Sequence, residues 1–180
     1  MPSHDDSPLS PHFDAAHGEL TLTTGVTGRA AKMGHRLTIV MESWRIDIDW
    51  QDQTPVSAAL VVDVDSLQVV AGQGGLTPLT SPEKAVARGN ALKTLDAKKF
   101  PTIAFHAETI TAVEGGYRLS GPLTIHGVSR PTEVDVTVDG RRLSCTAEVS
   151  QQDFKIKPYS MALGSMKVAD VVAVAFSAEA

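Results

Sequence analysis

The sequence predicts an all-β protein: an extended, closed antiparallel barrel of about eight strands, lipocalin-like in form, with one α-helix inserted at about residues 82–98. Three observations predict this fold. Apolar and polar residues alternate with a period of two along most of the chain, which is the pattern of strands with one buried and one exposed face. The alternation changes phase within two long segments, and only one stretch has the signals of a helix.

The alternation is clearest in the C-terminal half. Valines alternate there with acidic residues and threonine, and the next strand repeats the pattern around the chain's one cysteine. The apolar positions of these predicted strands are Ile103, Phe105, Ala107, Tyr117, Leu119, Leu123, Ile125, Val134, Val136, Val138, Leu143, Cys145, Ala147 and Val149.

The two phase changes predict bends. Residues 36–50 have apolar residues at odd positions up to Met41 and at even positions from Trp44, which a bulge near Glu42-Ser43 would reconcile. Residues 58–69 slip in the same way at Asp65-Ser66. Such bends suit a strongly curved, closing sheet. The alternative is a pair of shorter strands joined by a turn in an open sandwich.

The predicted helix begins at Ser81-Pro82-Glu83, which offers an N-cap, a proline at the first helical position and a carboxylate that the helix dipole favours. Phe100-Pro101 ends it, because a residue before proline disfavours helical angles. Ala85, Arg88, Leu92 and Leu95 are expected to lie on one stripe along it, which Gly89 interrupts.

Residues 1–17 contain three prolines and three histidines without periodicity, so we expect a disordered tail followed by one barrel domain over residues 18–180. The acidic, proline-broken N-terminus is the reverse of a basic region with an apolar export core, which predicts a cytoplasmic protein. With Cys145 alone, no intrachain disulfide can form, and the fold must depend on its core.

Composition excludes several partners. The formal net charge is −5 and no run of Lys or Arg stands out, so a nucleic-acid surface is not expected. No window approaches the roughly 20 apolar residues that span a bilayer. The six histidines occur without the paired spacing of a metal site, so neither a metal nor a cofactor is expected.

Catalytic signals are also missing. There is no Gly-x-Ser-x-Gly turn for a serine nucleophile, and Cys145 has no positive neighbour to activate it. His35, His126 and Asp153 are the candidates for acid–base chemistry, because a barrel can bring distant positions together. The plainer interpretation of His126 is a strand-end ring that bonds a nearby carbonyl.

Five stretches in register resemble the YceI-like family of small bacterial proteins, also called polyisoprenoid-binding. The strongest is residues 121–131, Gly-Pro-Leu-Thr-Ile-His-Gly-Val-Ser-Arg-Pro, which is similar to the family's strand-and-turn motif. Residues 99–105 resemble its helix-exit segment, and residues 34–39, 153–156 and 168–172 match further stretches. Gln151 or Gln152 and Lys155 stand where many members have Arg and Gly.

The resemblance implies a lipocalin-like barrel whose long apolar lumen holds an isoprenoid chain, such as a prenyl lipid or a quinone tail. The low aromatic content of 5% is compatible with a flexible chain rather than a planar ring. From the alternation, the residues expected to touch such a ligand are Ile39, Met41, Leu60, Val62, Phe105, Leu119 and Leu123. Plain core packing is the alternative for each.

The leading hypothesis is therefore a non-catalytic protein that binds or carries an isoprenoid, a quinone or another lipid. Two alternatives come from other classes: an enzyme acting on an apolar substrate through His35, His126 and Asp153, and a stress-related scaffold or interaction protein. A homodimer is expected by analogy with the family alone.

Overall fold

The computed structural model of the protein describes residues 11–180. Its strands and its α-helix in chain order are β1 (His12–Asp14), β2 (Gly18–Thr23), β3 (Val26–Thr27), β4 (His35–Met41), β5 (Trp44–Gln51), β6 (Thr54–Asp63), β7 (Leu67–Gly74), α1 (Ser81–Thr94), β8 (Thr102–Ala107), β9 (Thr109–Val113), β10 (Gly116–Ile125), β11 (Val128–Asp139), β12 (Arg142–Ser150), β13 (Ser160–Met161), β14 (Met166–Val168) and β15 (Val171–Glu179).

Twelve of these strands form one strongly curled antiparallel sheet in the order β1-β5-β6-β8-β10-β11-β12-β15-β2-β4-β7, with β9 paired to β10. The short strands β13, β14 and β3 form a second sheet in that order. Because β4 pairs with β7 and β5 with β6, the β4–β5 and β6–β7 segments behave as two long, bent strands of one hairpin. In this hairpin β4 pairs with β2 and β6 pairs with β8, so the hairpin connects the two sides of the curled sheet. The predicted antiparallel barrel of about eight long strands with one helix is confirmed.

The two predicted bends lie where the hairpin changes direction. The first interrupts the ladder between Met41 and Trp44, and the second is a 3₁₀ turn at Val64–Ser66. Backbone bonds Glu42 N–H to Ser66 C=O and Asp63 N–H to Ser43 C=O hold the bends against each other. The phase changes in the sequence thus mark real bends, and the open-sandwich alternative is not the one adopted.

The wall separates at one place. β11 pairs with β12 only over residues 137–139 and 142–144, whereas it pairs with β10 along ten residue pairs. Residues 128–136 and 145–150 therefore have no ladder partner across the gap between them, which we call the β11–β12 seam. The seam is an opening in the side of the barrel.

Buried apolar side chains close one end of the barrel. Gly18 begins β2 and Arg142 begins β12 at this end, and both strands pair there with the end of β15 at Glu179. The buried side chains that fill this end are Phe13, Leu20, Met41, Trp44, Val62, Leu67, Leu143 and Ala178. The opposite end, where β4 begins and β7 and β12 end, is the mouth.

Residues 11–17 differ from the predicted tail, while residues 1–10 lie outside the described residues. β1 pairs with β5, and Phe13 on it is fully buried in the closed end of the barrel. An isolated aromatic among prolines and histidines has no periodic signal, so the alternation could not reveal this strand.

The helix begins one residue earlier than predicted, with Thr80 rather than Ser81 as its N-cap, and it ends at Thr94, four residues before the expected end. Thr80 and Glu83 form a reciprocal capping box, which also holds the pKa of Glu83 below its ordinary value through the Thr80 backbone N–H. After the helix, Asp96 adopts a left-handed conformation (φ 49°), and the N–H of Ala97 bonds back to Leu92. This left-handed turn ends the helix several residues before Pro101.

The inner face of α1 also differs from the predicted stripe. Ala87, Ala91, Leu92 and Leu95 pack toward the core, whereas Ala85 is exposed. The Arg88 guanidinium donates to the carbonyl of Leu67 (2.8 Å) and to that of Asp65, which fixes α1 beside β7. Arg88, which belongs to the predicted stripe, therefore has a polar role at this contact.

Protonation of His12 should report the docking of β1. The Asp47 carboxylate, 2.9 Å from Nδ1 of His12, raises the pKa of His12 above its ordinary value of about 6.5. The stabilisation from this pair is then fully present below the unfolded pKa and is lost as pH rises through the folded pKa. An NMR titration of the ring should give a midpoint above about 6.5 that falls in Asp47→Asn. Asp49→Asn, on the same face of β5, should leave it unchanged, and equal midpoints in both variants would contradict this assignment.

Candidate functional site

A single long cavity of about 1720 Å³ occupies the barrel between the buried closed end and the mouth. Its volume exceeds the roughly 300–1,000 Å³ of ordinary small-molecule pockets. Inward-facing side chains of β2, β4, β6, β8, β10, β12 and β15 form the wall, and α1 covers one side. Because its lining extends over seven strands and α1, the cavity suits an extended molecule rather than a compact one.

All seven residues predicted to touch a ligand lie on the wall of this cavity: Ile39, Met41, Leu60, Val62, Phe105, Leu119 and Leu123. Ile39, Met41 and Val62 are also members of the buried core, with 4%, 2% and 2% of their surface exposed. These three therefore form its inner end, and the other four line the more open part. That any of them contacts a ligand stays a prediction.

Several wall residues were not among the predicted ones. On β2 and β15, Leu22 is opposite Val174 and Leu20 is opposite Phe176, so these inner faces continue the apolar surface. The alternation of β12 predicts that Ala147 lies on a buried face. The same rule, applied to β2 and β15, identifies the inner faces of these two strands as well. Ala87 and Ala91 of α1 also line the cavity; small helical alanines carry no signal of that role.

The cavity reaches the outside through the seam as well as the mouth. Residues from both faces of the unpaired parts of β11 and β12 line it, including Glu133, Asp135 and Glu148. The Arg118 guanidinium binds both carboxylate oxygens of Asp135, at 2.8 and 3.0 Å, which lowers the pKa of Asp135 and raises that of Arg118. The seam thus has an acidic border, in contrast to the apolar lumen.

At the mouth end of the seam, Arg130 lies on the inner face, opposite Leu123 in the β10–β11 ladder. Its Nε donates to the backbone carbonyl of Asp153 at 2.8 Å, so the side chain ties β11 to the turn that follows β12. A cation at this position is able to meet a polar end of a ligand whose chain lies deeper in the barrel.

Two of the three candidates for acid–base chemistry, His35 and His126, contact separate backbone carbonyls. The Nε2 of His35 lies 2.7 Å from the carbonyl oxygen of Thr77, on the loop before α1. The Nδ1 of His126 lies 3.3 Å from the carbonyl oxygen of Phe154, and the ring packs edge-on against Phe100. His35 and Asp153 line the cavity, whereas His126 does not. The plainer interpretation of His126 is confirmed, and no hydrogen bond or ion pair within residues 11–180 joins the three side chains.

Residues 11–180 contain neither a cluster of metal ligands nor a helix suited to span a membrane. No cluster of three His, Cys, Asp or Glu side chains in this range is placed to hold a metal ion. Within the same range, no helix has the length and apolar character needed to cross a membrane.

Cys145 provides a chemical probe of the lumen, since its side chain lines the cavity beside the seam. Burial, and secondarily the Asp135 carboxylate, raise the pKa of this thiol. Because the thiolate is the reactive form, iodoacetamide should alkylate Cys145 more slowly than a free cysteine at neutral pH. Asp135→Asn should lower the thiol pKa and speed the reaction, measured by mass spectrometry. The control Asp139→Asn, at the end of the same strand, should have the wild-type rate, and equal rates in the two variants would refute the effect.

An antiparallel barrel around a long apolar lumen defines the lipocalin-like class of proteins. Residues 10–180 match the family model of the YceI-like domain, so the chain belongs to the YceI-like family, as its motifs predicted. The fold is similar to that of BcnA from Burkholderia cenocepacia, with a TM-score of 0.67 and 18% identity over 93% of this chain and 98% of that one.

The Campylobacter jejuni YceI protein is similar as well, with a TM-score of 0.60 and 16% identity over 79% of this chain and 82% of that one. At these identities the likeness establishes the fold alone. Comparison with curated protein sequences gives no match.

Proposed function

We propose that this protein binds an extended apolar ligand, an isoprenoid, a quinone tail or another lipid, in the barrel lumen, and that it has no catalytic role. The observation that carries the proposal is the cavity of about 1720 Å³, lined along most of its length by Leu, Ile, Val and Ala side chains. Family membership supports the same ligand class.

Apolar contact supplies enough affinity without a dedicated binding residue. Each buried methylene contributes roughly 0.8 kcal/mol, so a chain of about fifteen carbons gains around 12 kcal/mol before association costs are subtracted. Because such contact is nondirectional, related chains should bind with similar affinity. Any selectivity then comes from the polar groups where the lumen opens, such as Arg130.

The enzymatic alternative loses its main support, because His35 and His126 bond to different carbonyls and only one of them lines the cavity. A general base must lie within hydrogen-bond reach of its substrate together with its partner groups. We therefore propose that the protein carries its ligand and does not convert it. The homodimer remains a family-based proposal, which analytical ultracentrifugation tests.

The deciding experiment is organic extraction of freshly purified protein followed by mass spectrometry. We expect a long-chain apolar molecule at close to one per barrel, and none from protein unfolded and refolded in delipidated buffer. The refolded protein should then take up an added prenyl alcohol with the same stoichiometry. Absence of any apolar molecule from the fresh protein, together with failure to take up the alcohol, would reject the proposal.

A further inference from the structure

The mouth of the barrel has an unusually apolar border. Exposed large hydrophobic side chains are few among residues 11–180, and four of them line the cavity at its mouth: Met33 (56% exposed), Leu76 (76%), Val86 (64%) and Met161 (43%). Leu163, two residues beyond Met161, is fully exposed. Exposed apolar patches of this kind mark surfaces that bind a partner or a membrane.

In two segments that build this border, every Asp, Glu, Lys or Arg position is a Lys or an Arg. Residues 24–36 and 154–169 contain none of the 21 Asp and Glu residues of the chain, although its net charge is −5 and Asp153 and Asp170 flank the second segment. They contain six of its 16 Lys and Arg residues: Arg29, Lys32, Arg36, Lys155, Lys157 and Lys167. All six are exposed. Two acidic residues close to these segments are engaged. Glu83 on the cavity wall belongs to the capping box of α1, and the Asp170 carboxylate, which shares a small surface pocket with Lys157 and Lys167, accepts from the Ser150 hydroxyl and the Gln152 N–H.

The two segments are fastened to each other, so their side chains form one surface. β14 pairs with β3 and with β13, which places Lys167 opposite Thr27 and Ser160. The N–H of Ala30 donates to the carbonyl of Ser165 at 2.8 Å. We call the surface of these two segments, together with Leu76 and Val86, the mouth face.

The turn between β13 and β14, within the second segment, projects the Leu163 side chain outward. Ala162 and Leu163 both have left-handed backbone angles (φ 51° and 56°), and the Ser165 hydroxyl donates to the Ala162 carbonyl at 2.7 Å. A leucine in this conformation is unfavourable, and its side chain gains no burial within the protein to offset the cost. An external apolar medium would supply that burial.

We infer that the mouth face docks on an anionic lipid bilayer. Leu163, Met161 and Met33 would enter the boundary between headgroups and acyl chains, while Lys32 and Lys167 meet the lipid phosphates. Apolar burial together with attraction of cations to anionic lipid is the general basis of interfacial binding. Charge complementarity favours this partner over a symmetric dimer formed through this face, because two mouth faces would repel each other.

Docking in this way would place the mouth of the lumen directly on a source of long-chain apolar molecules. This consequence rests on the proposed function, whereas the docking itself does not. A protein that binds vesicles but carries no ligand, or carries ligand but binds no vesicles, would separate the two proposals.

The test is co-sedimentation of the full chain with vesicles. We expect binding to vesicles of equal parts phosphatidylglycerol and phosphatidylcholine, little binding to phosphatidylcholine alone, and loss of binding at high salt. Replacing two cations in Lys32→Gln/Lys167→Gln should lower partitioning about fivefold per lysine, hence roughly 25-fold. Leu163→Ser should lower it about tenfold or more through lost apolar burial.

Matched controls keep the test specific. Arg45→Gln/Arg142→Gln removes the same charge away from the mouth, and Val70→Ser removes an exposed apolar side chain from β7. Both should bind vesicles like the wild type. The inference fails if the wild type does not bind anionic vesicles at low salt, or if mouth and control variants bind alike. It also fails if ultracentrifugation shows a dimer that Leu163→Ser disrupts, because a second copy then covers this face.

Discussion

Two tryptophans placed inside the lumen should weaken the binding of a chain-like ligand by on the order of 100-fold. Ala58 of β6 and Ala147 of β12 both line the cavity, and each is a small residue on an inner face. If the two indoles together displace about four ligand methylenes, the loss is around 3 kcal/mol, which corresponds to that factor. The measurement is titration of Ala58→Trp/Ala147→Trp with a fluorescent farnesyl analogue.

The matched control is Ala112→Trp/Ala173→Trp, which makes the same change at two exposed positions of β9 and β15. This variant should bind the probe like the wild type. Thermal unfolding of both variants verifies that each is folded, since an open lumen accepts the added side chains that a packed core would reject. Equal affinity in the two double variants would mean that the probe does not enter the lumen.

The sequence carried most of the information about the barrel wall. Alternation at Val134, Val136 and Val138 identifies a strand and its inner face, because a pleated strand exposes successive side chains to opposite sides. The bends at residues 42–43 and 64–66 were visible for the same reason, since a bend that shifts the pleat also shifts the phase of the pattern.

The failures have equally definite causes. Alternation marks a dry face but does not distinguish a residue packed in the core, such as Met41, from one beside an open lumen, such as Leu60. The seam depends on how far β11 and β12 diverge, which is a property of the whole curled sheet. The inner face of α1 is built from Ala87 and Ala91, whose small side chains give weak helical periodicity, while Arg88 is held by backbone carbonyls.

The mouth face was missed for a different reason. Its charges are spread over two segments more than a hundred residues apart, and neither contains a run of Lys or Arg that a sequence scan would mark. Only the pairing of β3 with β14 brings them together. The even composition of the chain therefore conceals an uneven distribution of charge on its surface.

Phe13→Ala should destabilise the protein by about 3–5 kcal/mol, which is the range for removing a buried aromatic side chain. Phe13 has no exposed surface and packs with the residues that close the barrel, so truncating it leaves a cavity there. This is a large part of the roughly 5–15 kcal/mol that holds a typical domain folded. Urea denaturation should show a lower midpoint with an unchanged slope.

The same experiment decides between two interpretations of the N-terminal residues. If residues 11–17 belonged to a disordered tail, Phe13→Ala would leave the free energy of unfolding unchanged. The control Leu163→Ala truncates a fully exposed apolar side chain and should change that free energy by less than about 0.5 kcal/mol. A large loss of stability in Phe13→Ala, but not in Leu163→Ala, would establish that β1, which precedes β2, closes the barrel. The folded domain would then begin before residue 18.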